Sequence, residues 1–312
     1  MAIETTSRTP ETPDMSDLSD VSDVSVVETP HGRVIVRDTG GSGTPVLLVH
    51  SLLVDGDLYS RLWPLLAARG YRCLIPELPF GAHGTPMRAD ADLTPPGLAA
   101  LIVEVLDALG VASVNVVGVD TGGALTQLLM ADHRDRVGAV VLTACDAYEA
   151  FPPRSFAPIV ALMKIPGSTW LTAQLARLRF VRQLGNLSAV THAGVDDATL
   201  QRWTRPLRTR EIRRDLRKVV LGMKAEHTLA AAAKNVDFPR PVLIAWGEDA
   251  RLFPRRLAER LHADIPGSRL TTLPDCAAFA ALDQPALLAE LIDDHLQVSA
   301  QSRSFRVAET SP

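Results

Sequence analysis

The sequence predicts an α/β fold: a doubly wound, mostly parallel sheet with a helical cap insertion. Three observations predict it. Short, near-continuous apolar runs (45–50, 114–119, 139–143, 241–246) alternate with stretches of helical period, the pattern of a parallel sheet covered on both faces. A Val-rich run ends in the abrupt corner Gly118-Val119-Asp120-Thr121-Gly122-Gly123. Residues 147–237 then interrupt the alternation with helical patterns and no clear strand.

Residues 1–24 are rich in Ser, Thr, Asp, Glu and Pro and include the near-repeat Ser16-Asp17-Leu18-Ser19-Asp20. Few bulky apolar groups offset the ordering entropy there, so the segment reads as a disordered acidic tail. Two runs, 25–28 and 33–37, flank Pro30-His31-Gly32 as a hairpin. A buried strand at 45–50 leads to an amphipathic helix at 58–69, a strand at 72–76 and a helix at 96–109. Strand 114–119 and helix 122–131 flank the corner, and strand 139–143 precedes the interruption. Strand 241–246, helix 254–263, strand 269–273 and helix 285–296 close the pattern. The polar end, 299–312, reads like the first tail. The core is thus expected over 25–146 and 238–298. The cap is expected over 147–237, with Met163, Trp170, Phe180, Trp203 and Met223 as its bulky apolar residues.

A chain of 312 residues suits one large α/β domain or a core with an insertion. The formal net charge of −4 suggests neither nucleic acid nor an anionic membrane as a partner. Cys73, Cys145 and Cys276 lie far apart with no C-x-x-C pair and read as reduced, mostly buried thiols of a cytoplasmic protein. The acidic N-terminus lacks the basic and apolar regions of a secretory signal. The best membrane candidate, 156–178, is broken by Lys164, Pro166 and Gly167 and reads as part of an apolar lid. Metal-ligand spacing, a P-loop and a dinucleotide fingerprint are all missing, so no metal or cofactor is expected. The expected partner is a small hydrophobic substrate, with the oligomeric state left open.

A strand that turns sharply into a helix lifts its corner residue over the sheet edge, where active groups of such sheets collect. With an acid at that corner and glycines on both sides, the chain resembles the α/β-hydrolase fold, over about 25–298. Its elbow is most similar to that of the haloalkane dehalogenase and epoxide hydrolase branches. Further marks are Leu47-Leu48-Val49-His50-Ser51, Glu77-Leu78-Pro79-Phe80-Gly81-Ala82-His83-Gly84, Trp246-Gly247-Glu248-Asp249 and Phe279-Ala280-Ala281-Leu282-Asp283-Gln284-Pro285. The resemblance implies that Asp120 attacks an sp³ carbon to give an enzyme ester. It also implies an oxyanion hole from the backbone N–H groups of Leu52 and Thr121. By the same resemblance the supporting acid and histidine fall at 250 and 278, where the chain has Ala250 and Ala278.

These alanines favour a modified mechanism: a single attack by Asp120, or acid/base work in a lyase, isomerase or cyclisation reaction. A catalytically degenerate ligand-binding protein is the alternative. The competing role for Asp120 is capping the helix that follows. His83 is a candidate accessory residue, in a loop expected near the mouth of the site. Asp146, just past a strand end, and Asp249, one residue before the usual acid position, are two others. Tyr148, Trp170 and Trp203 are candidate pocket or cap residues. The basic run from Arg202 to Lys218 contains Glu211 and Asp215 at pairing distances and reads as a solvated helix face.

Overall fold

The computed structural model describes residues 23–184 and 189–309, with side chains described over 24–181 and 189–301. The acidic tail expected over 1–24 therefore lies almost wholly outside the described residues. Eight strands form one sheet: β1 (Asp23–Thr29), β2 (Gly32–Asp38), β3 (Pro45–Val49), β4 (Arg72–Pro76), β5 (Val114–Asp120), β6 (Val137–Cys145), β7 (Val242–Gly247) and β8 (Arg269–Leu273). Their spatial order is β1-β2-β4-β3-β5-β6-β7-β8. Only β1–β2 and β2–β4 pair antiparallel; every pairing from β4 to β8 is parallel. The central strands are buried throughout β6 and β7, as expected where helices cover both faces.

Helices α1 (Trp63–Ala67), α2 (Pro95–Ala108) and α3 (Thr121–Asp132) connect the first half of the sheet. The helix expected over 58–69 is not continuous. A 3₁₀ turn spans Gly56–Tyr59, and α1 begins only at Trp63. Pro64 has no N–H to donate and fits only the first turn of a helix, so the helix cannot run through it.

Between β6 and β7 the described chain is helical: α4 (Ala157–Lys164), α5 (Ser168–Leu175), α6 (Arg179–Leu184), α7 (Asp197–Thr204), α8 (Arg210–Gly222) and α9 (Ala225–Asn235), with short 3₁₀ turns. Helices α10 (Arg256–Asp264), α11 (Ala280–Asp283) and α12 (Pro285–Glu309) complete the fold. The last helix runs to Glu309, past the Ser299 where the sequence suggests a tail. The Ser299 hydroxyl donates to the His295 carbonyl at 2.6 Å, so a polar residue is accommodated within the helix. Among the described residues no helix is long and apolar enough to cross a membrane, and all three cysteines are free and buried.

Buried polar contacts fasten the inserted helices to the sheet edge. The Trp203 indole N–H donates to Asp55 Oδ1 at 2.7 Å. Asp215 of α8 is wholly buried and accepts from the Met87 N–H at 2.8 Å. Its other oxygen pairs with Arg214. At i, i+3, i+4 and i+7, Ile212, Asp215, Leu216 and Val219 form the buried stripe of α8. The helix is therefore not a purely solvated face: it carries one anion inward, where its hydrogen bonds offset the desolvation.

The corner between β5 and α3 depends on close backbone approach. A methyl group on Gly122 would run into the carbonyls of Val49 and His50, at the end of β3. Gly122→Ala is expected to destabilise the protein by about 1–3 kcal/mol, read as a lower urea midpoint with an unchanged slope. An unchanged midpoint would show that the corner can open without loss.

Candidate active site

Asp120 stands at the corner with φ 53° and ψ −126°, a conformation that L-residues rarely hold. Such backbone costs roughly 1–3 kcal/mol and persists where the surroundings over-determine it. Its side chain also caps α3, so both sequence readings describe the same residue. The Thr121 N–H donates to Asp120 Oδ1 at 2.6 Å, and the Thr121 hydroxyl reaches the same oxygen at 3.2 Å. Burial raises the Asp120 carboxyl above its ordinary range; hydrogen bonds from the Ser51 hydroxyl and from Thr121 pull it back down.

Asp146 follows β6 directly and is completely buried. Its N–H donates to the Asp120 carbonyl at 3.3 Å, and the Thr121 hydroxyl lies 3.5 Å from its Oδ2. Oδ1 of Asp146 has no hydrogen-bond partner. Burial, reinforced by the charge of Asp120, raises the Asp146 carboxyl well above the usual range. The pair is unequal: the Thr121 N–H and the Ser51 hydroxyl favour the charged form of Asp120, and the Thr121 hydroxyl, with one proton to give, lies nearer to Asp120 (3.2 Å) than to Asp146 (3.5 Å). Burial pushes both carboxyls up, and of the two Asp146 is the one whose surroundings favour the proton more strongly. With Asp146 protonated on Oδ2, the two Thr121 contacts become consecutive donations, Asp146 O–H to Thr121 Oγ1 and Thr121 O–H to Asp120 Oδ1. A chain of this kind can stabilise charge on Asp120 and return a proton to it.

Of the two backbone donors expected for an oxyanion hole, the Thr121 N–H is taken up by Asp120 itself. Leu52 is buried, and its N–H makes no hydrogen bond among the described residues. The next residue, Leu53, has φ 62° and donates to the Phe80 carbonyl at 2.9 Å, which fixes the loop. A buried backbone N–H without a partner is rare, and here it follows the strand that Gly122 abuts. His50 braces the same loop. Its Nδ1 lies 2.9 Å from the Ser51 carbonyl, and Nε2 accepts the Leu78 N–H at 2.9 Å. Burial lowers its pKa to about 4, so the ring is neutral with the proton on Nδ1.

The remaining candidates sit elsewhere or are otherwise engaged. His83 is buried, but Nδ1 accepts the Gly81 N–H at 3.2 Å and Nε2 lies 3.5 Å from Asp215; it joins the loop to α8. Asp249 is half-exposed and lies 3.6 Å from His192. The Tyr148 hydroxyl donates to Asp264 at 2.9 Å, with the Arg260 guanidinium 3.7 Å above its ring. Trp203 is buried as a fastener, whereas Trp170 is 54% exposed. Ala250 and Ala278 are both buried. Among the described residues no group of three His, Cys, Asp or Glu is arranged to hold a metal. Two large clefts among the described residues have linings that do not include Asp120. One of ≈ 540 Å³ involves Asp57, Arg61, Arg202 and Trp203, and one of ≈ 550 Å³ lies against Trp170 and α8. Sequence reasoning missed the roles of Ser51, the Thr121 hydroxyl and Asp215. Only Asp215 left a trace, a charge within the apolar stripe of α8.

The sequence matches the alpha/beta hydrolase fold family over residues 44–285, and the chain belongs to that family. Haloalkane dehalogenase 2 of Mycobacterium tuberculosis is 28% identical over 274 residues, covering 85% of this chain and 92% of that protein. The solved structure of haloalkane dehalogenase DbeA from Bradyrhizobium elkani USDA94 superposes with a TM-score of 0.73 at 18% identity, covering 90% of this chain and 100% of that one. The solved epoxide hydrolase CorEH gives 0.73 at 17% identity, with 88% and 99% covered. At these identities the two structures show a common fold.

The protonated state of Asp146 has a stability signature. An unfolded Asp loses its proton near pH 4, whereas the folded protein retains it to higher pH. Over that interval the native state binds more protons, so stability falls as pH rises, by at most about 1.4 kcal/mol per pH unit. Asp146→Asn removes this dependence. The urea midpoint is expected to fall less between about pH 5 and about pH 8 for the variant than for the parent. A variant that loses as much as the parent would place the proton elsewhere.

Proposed function

We propose that this chain is a hydrolase-family enzyme acting on a small or medium hydrophobic molecule through Asp120, by a modified form of dehalogenase-like or epoxide-hydrolase-like chemistry. The observation that carries this reading is the strained, buried corner carboxylate of Asp120, held against Thr121. The M. tuberculosis relative named as a haloalkane dehalogenase supports the same reaction class.

In the proposed step Asp120 Oδ2 attacks an sp³ carbon while Oδ1 stays against Thr121. The carbon–halogen or carbon–oxygen bond breaks, and its electrons leave with the halide or the alkoxide. An alkoxide takes up a proton from water, and the enzyme retains an ester at Asp120. Asp146 acts as a positioning residue, setting the charge on Asp120 through the Thr121 hydroxyl. Hydrolysis of the ester requires a base for water, and the family position for it is Ala278. Loss of a positioned base forfeits about 10²–10⁴ in rate, so the second half-reaction is slow or absent. A non-hydrolytic lyase, isomerase or cyclase reaction, or ligand binding without turnover, is the second reading. The buried alanines at 250 and 278 favour it.

Intact-protein mass spectrometry after exposure to haloalkanes and epoxides separates these readings. The expected outcome is a single alkyl or hydroxyalkyl adduct, mapped to the peptide bearing Asp120 and lost in Asp120→Asn. With no adduct, a turnover screen on the same two proteins decides: activity lost in the variant assigns acid/base work to Asp120. Equal activity removes Asp120 from the mechanism.

A further inference from the structure

Residues 150–195 contain no Asp or Glu but five cations, Arg154, Lys164, Arg177, Arg179 and Arg182, in a chain of formal net charge −4. This stretch builds α4, α5 and α6. Seven of the thirteen exposed large apolar side chains among the described residues fall here: Leu162, Ile165, Trp170, Leu171, Leu175, Leu178 and Phe180. Helix α5 is inverted relative to a water-facing helix. It buries Ser168 and Ala173 and turns Trp170, Leu171 and Leu175 outward. Exposed apolar groups scattered singly need no explanation, but a run of this density marks an interaction surface.

Charge complementarity says what it meets. Beside Trp170 opens the ≈ 550 Å³ cleft, lined by Arg210, Arg213, Arg214, Arg217 and Lys218 with Glu211 as the lone acid in the lining. Arg213 donates to the Leu207 and Arg208 carbonyls, Arg217 to the Met163 carbonyl, and Lys218 to the Ala89 and Ala91 carbonyls. Carbonyl partners orient these cations without neutralising them. Asp215 pairs with Arg214 and Asp197 lies 4.0 Å from Arg179, so cations still outnumber acids along this edge. An apolar surface carrying a tryptophan and edged by an excess of cations matches the boundary between anionic headgroups and acyl chains.

We propose that the outward face of α4–α6, with the adjoining basic cleft of α8, docks on an anionic lipid bilayer. The three short helices lie along the surface, with their apolar side chains at the level of the headgroups and the cations on lipid phosphates. The docking is independent of the chemistry proposed for Asp120.

Tryptophan emission of the full chain, with vesicles as the probe, tests this. Of the four tryptophans, Trp63, Trp203 and Trp246 are buried, so a shift on binding reports Trp170. Vesicles of phosphatidylcholine with about one-third phosphatidylglycerol are expected to shift emission to the blue and to co-float with the protein. Binding should be at least about tenfold weaker to phosphatidylcholine alone or in about 0.5 M salt. Trp170→Ser with Leu171→Ser should abolish flotation, and charge reversal at Lys164 and Arg179 should remove the preference for anionic lipid, both without lowering the thermal midpoint. Failure of the parent to float, or equal binding to both lipids, overturns the proposal. A dimer seen in sedimentation and lost in the double-serine variant, without vesicle binding, assigns the face to a second copy and likewise overturns it.

Discussion

The close approach of the β5–α3 corner to the end of β3 is the constraint on which the site depends. Gly122 lets the first turn of α3 lie against the Val49 and His50 carbonyls. The corner residue then takes a backbone conformation that an L-residue adopts at a cost. Gly123 packs against Cys145 at the end of β6, so the neighbouring strand is drawn to the same point. Three strand ends thereby converge. One brings the Leu52 N–H, the second Asp120 and Thr121, the third Asp146. The active groups gather because the glycines remove the atoms that would hold these segments apart.

That convergence sets the electrostatics. Two carboxylates in so dry a place cannot both ionise readily, and nothing cationic among the described residues pairs with either one. The asymmetry between them comes from Thr121, whose N–H and hydroxyl both favour charge on Asp120. A histidine would ordinarily supply a cationic partner once it had accepted a proton. No histidine bonds to Asp146 among the described residues, and protonation is the cheaper state of this acid. The same absence separates the two halves of the proposed reaction. Attack at carbon needs only an exposed lone pair on Asp120, whereas water attack on the ester needs a proton acceptor.

The strands along the chain and the corner were legible in the sequence because both rest on local signals. Apolar runs mark strands buried on both faces, and glycines mark the places where a side chain would collide. Helix boundaries were less legible. Pro64 splits the helix expected over 58–69, and the polar residues after Ser299 continue α12, where no apolar period announces a helix. At the candidate site, the strained corner conformation of Asp120 and its cap on α3 were readable from the glycines around it. Asp146 stood out only as an acid past a strand end, because its partner lies 26 positions earlier in the chain. His83 shows the reverse. Its loop position invited a catalytic reading, but its partner Asp215, 132 positions away, makes it a tie between loop and cap helix.

The charge of the whole chain conceals how unevenly it is distributed. Many of the acids lie in the first thirty residues and around the core loops, while 150–195 carries cations alone. A net value of −4 argues against an anionic partner only if charge is spread evenly. At a Debye length of about 8 Å in physiological salt, an exposed patch is sensed apart from acids elsewhere on the molecule. The fasteners at Asp55–Trp203 and His83–Asp215 bear on the same point. They use the polar atoms of α7 and α8 to hold the insertion down, while Met163 and Ala173 pack the inner face of α4 and α5 on the core and the outward apolar side chains of α4–α6 stay uncovered. An apolar face is kept on a protein surface against the hydrophobic effect only where something other than water meets it for part of the time. The surface that suits both its cations and its tryptophan is a lipid one.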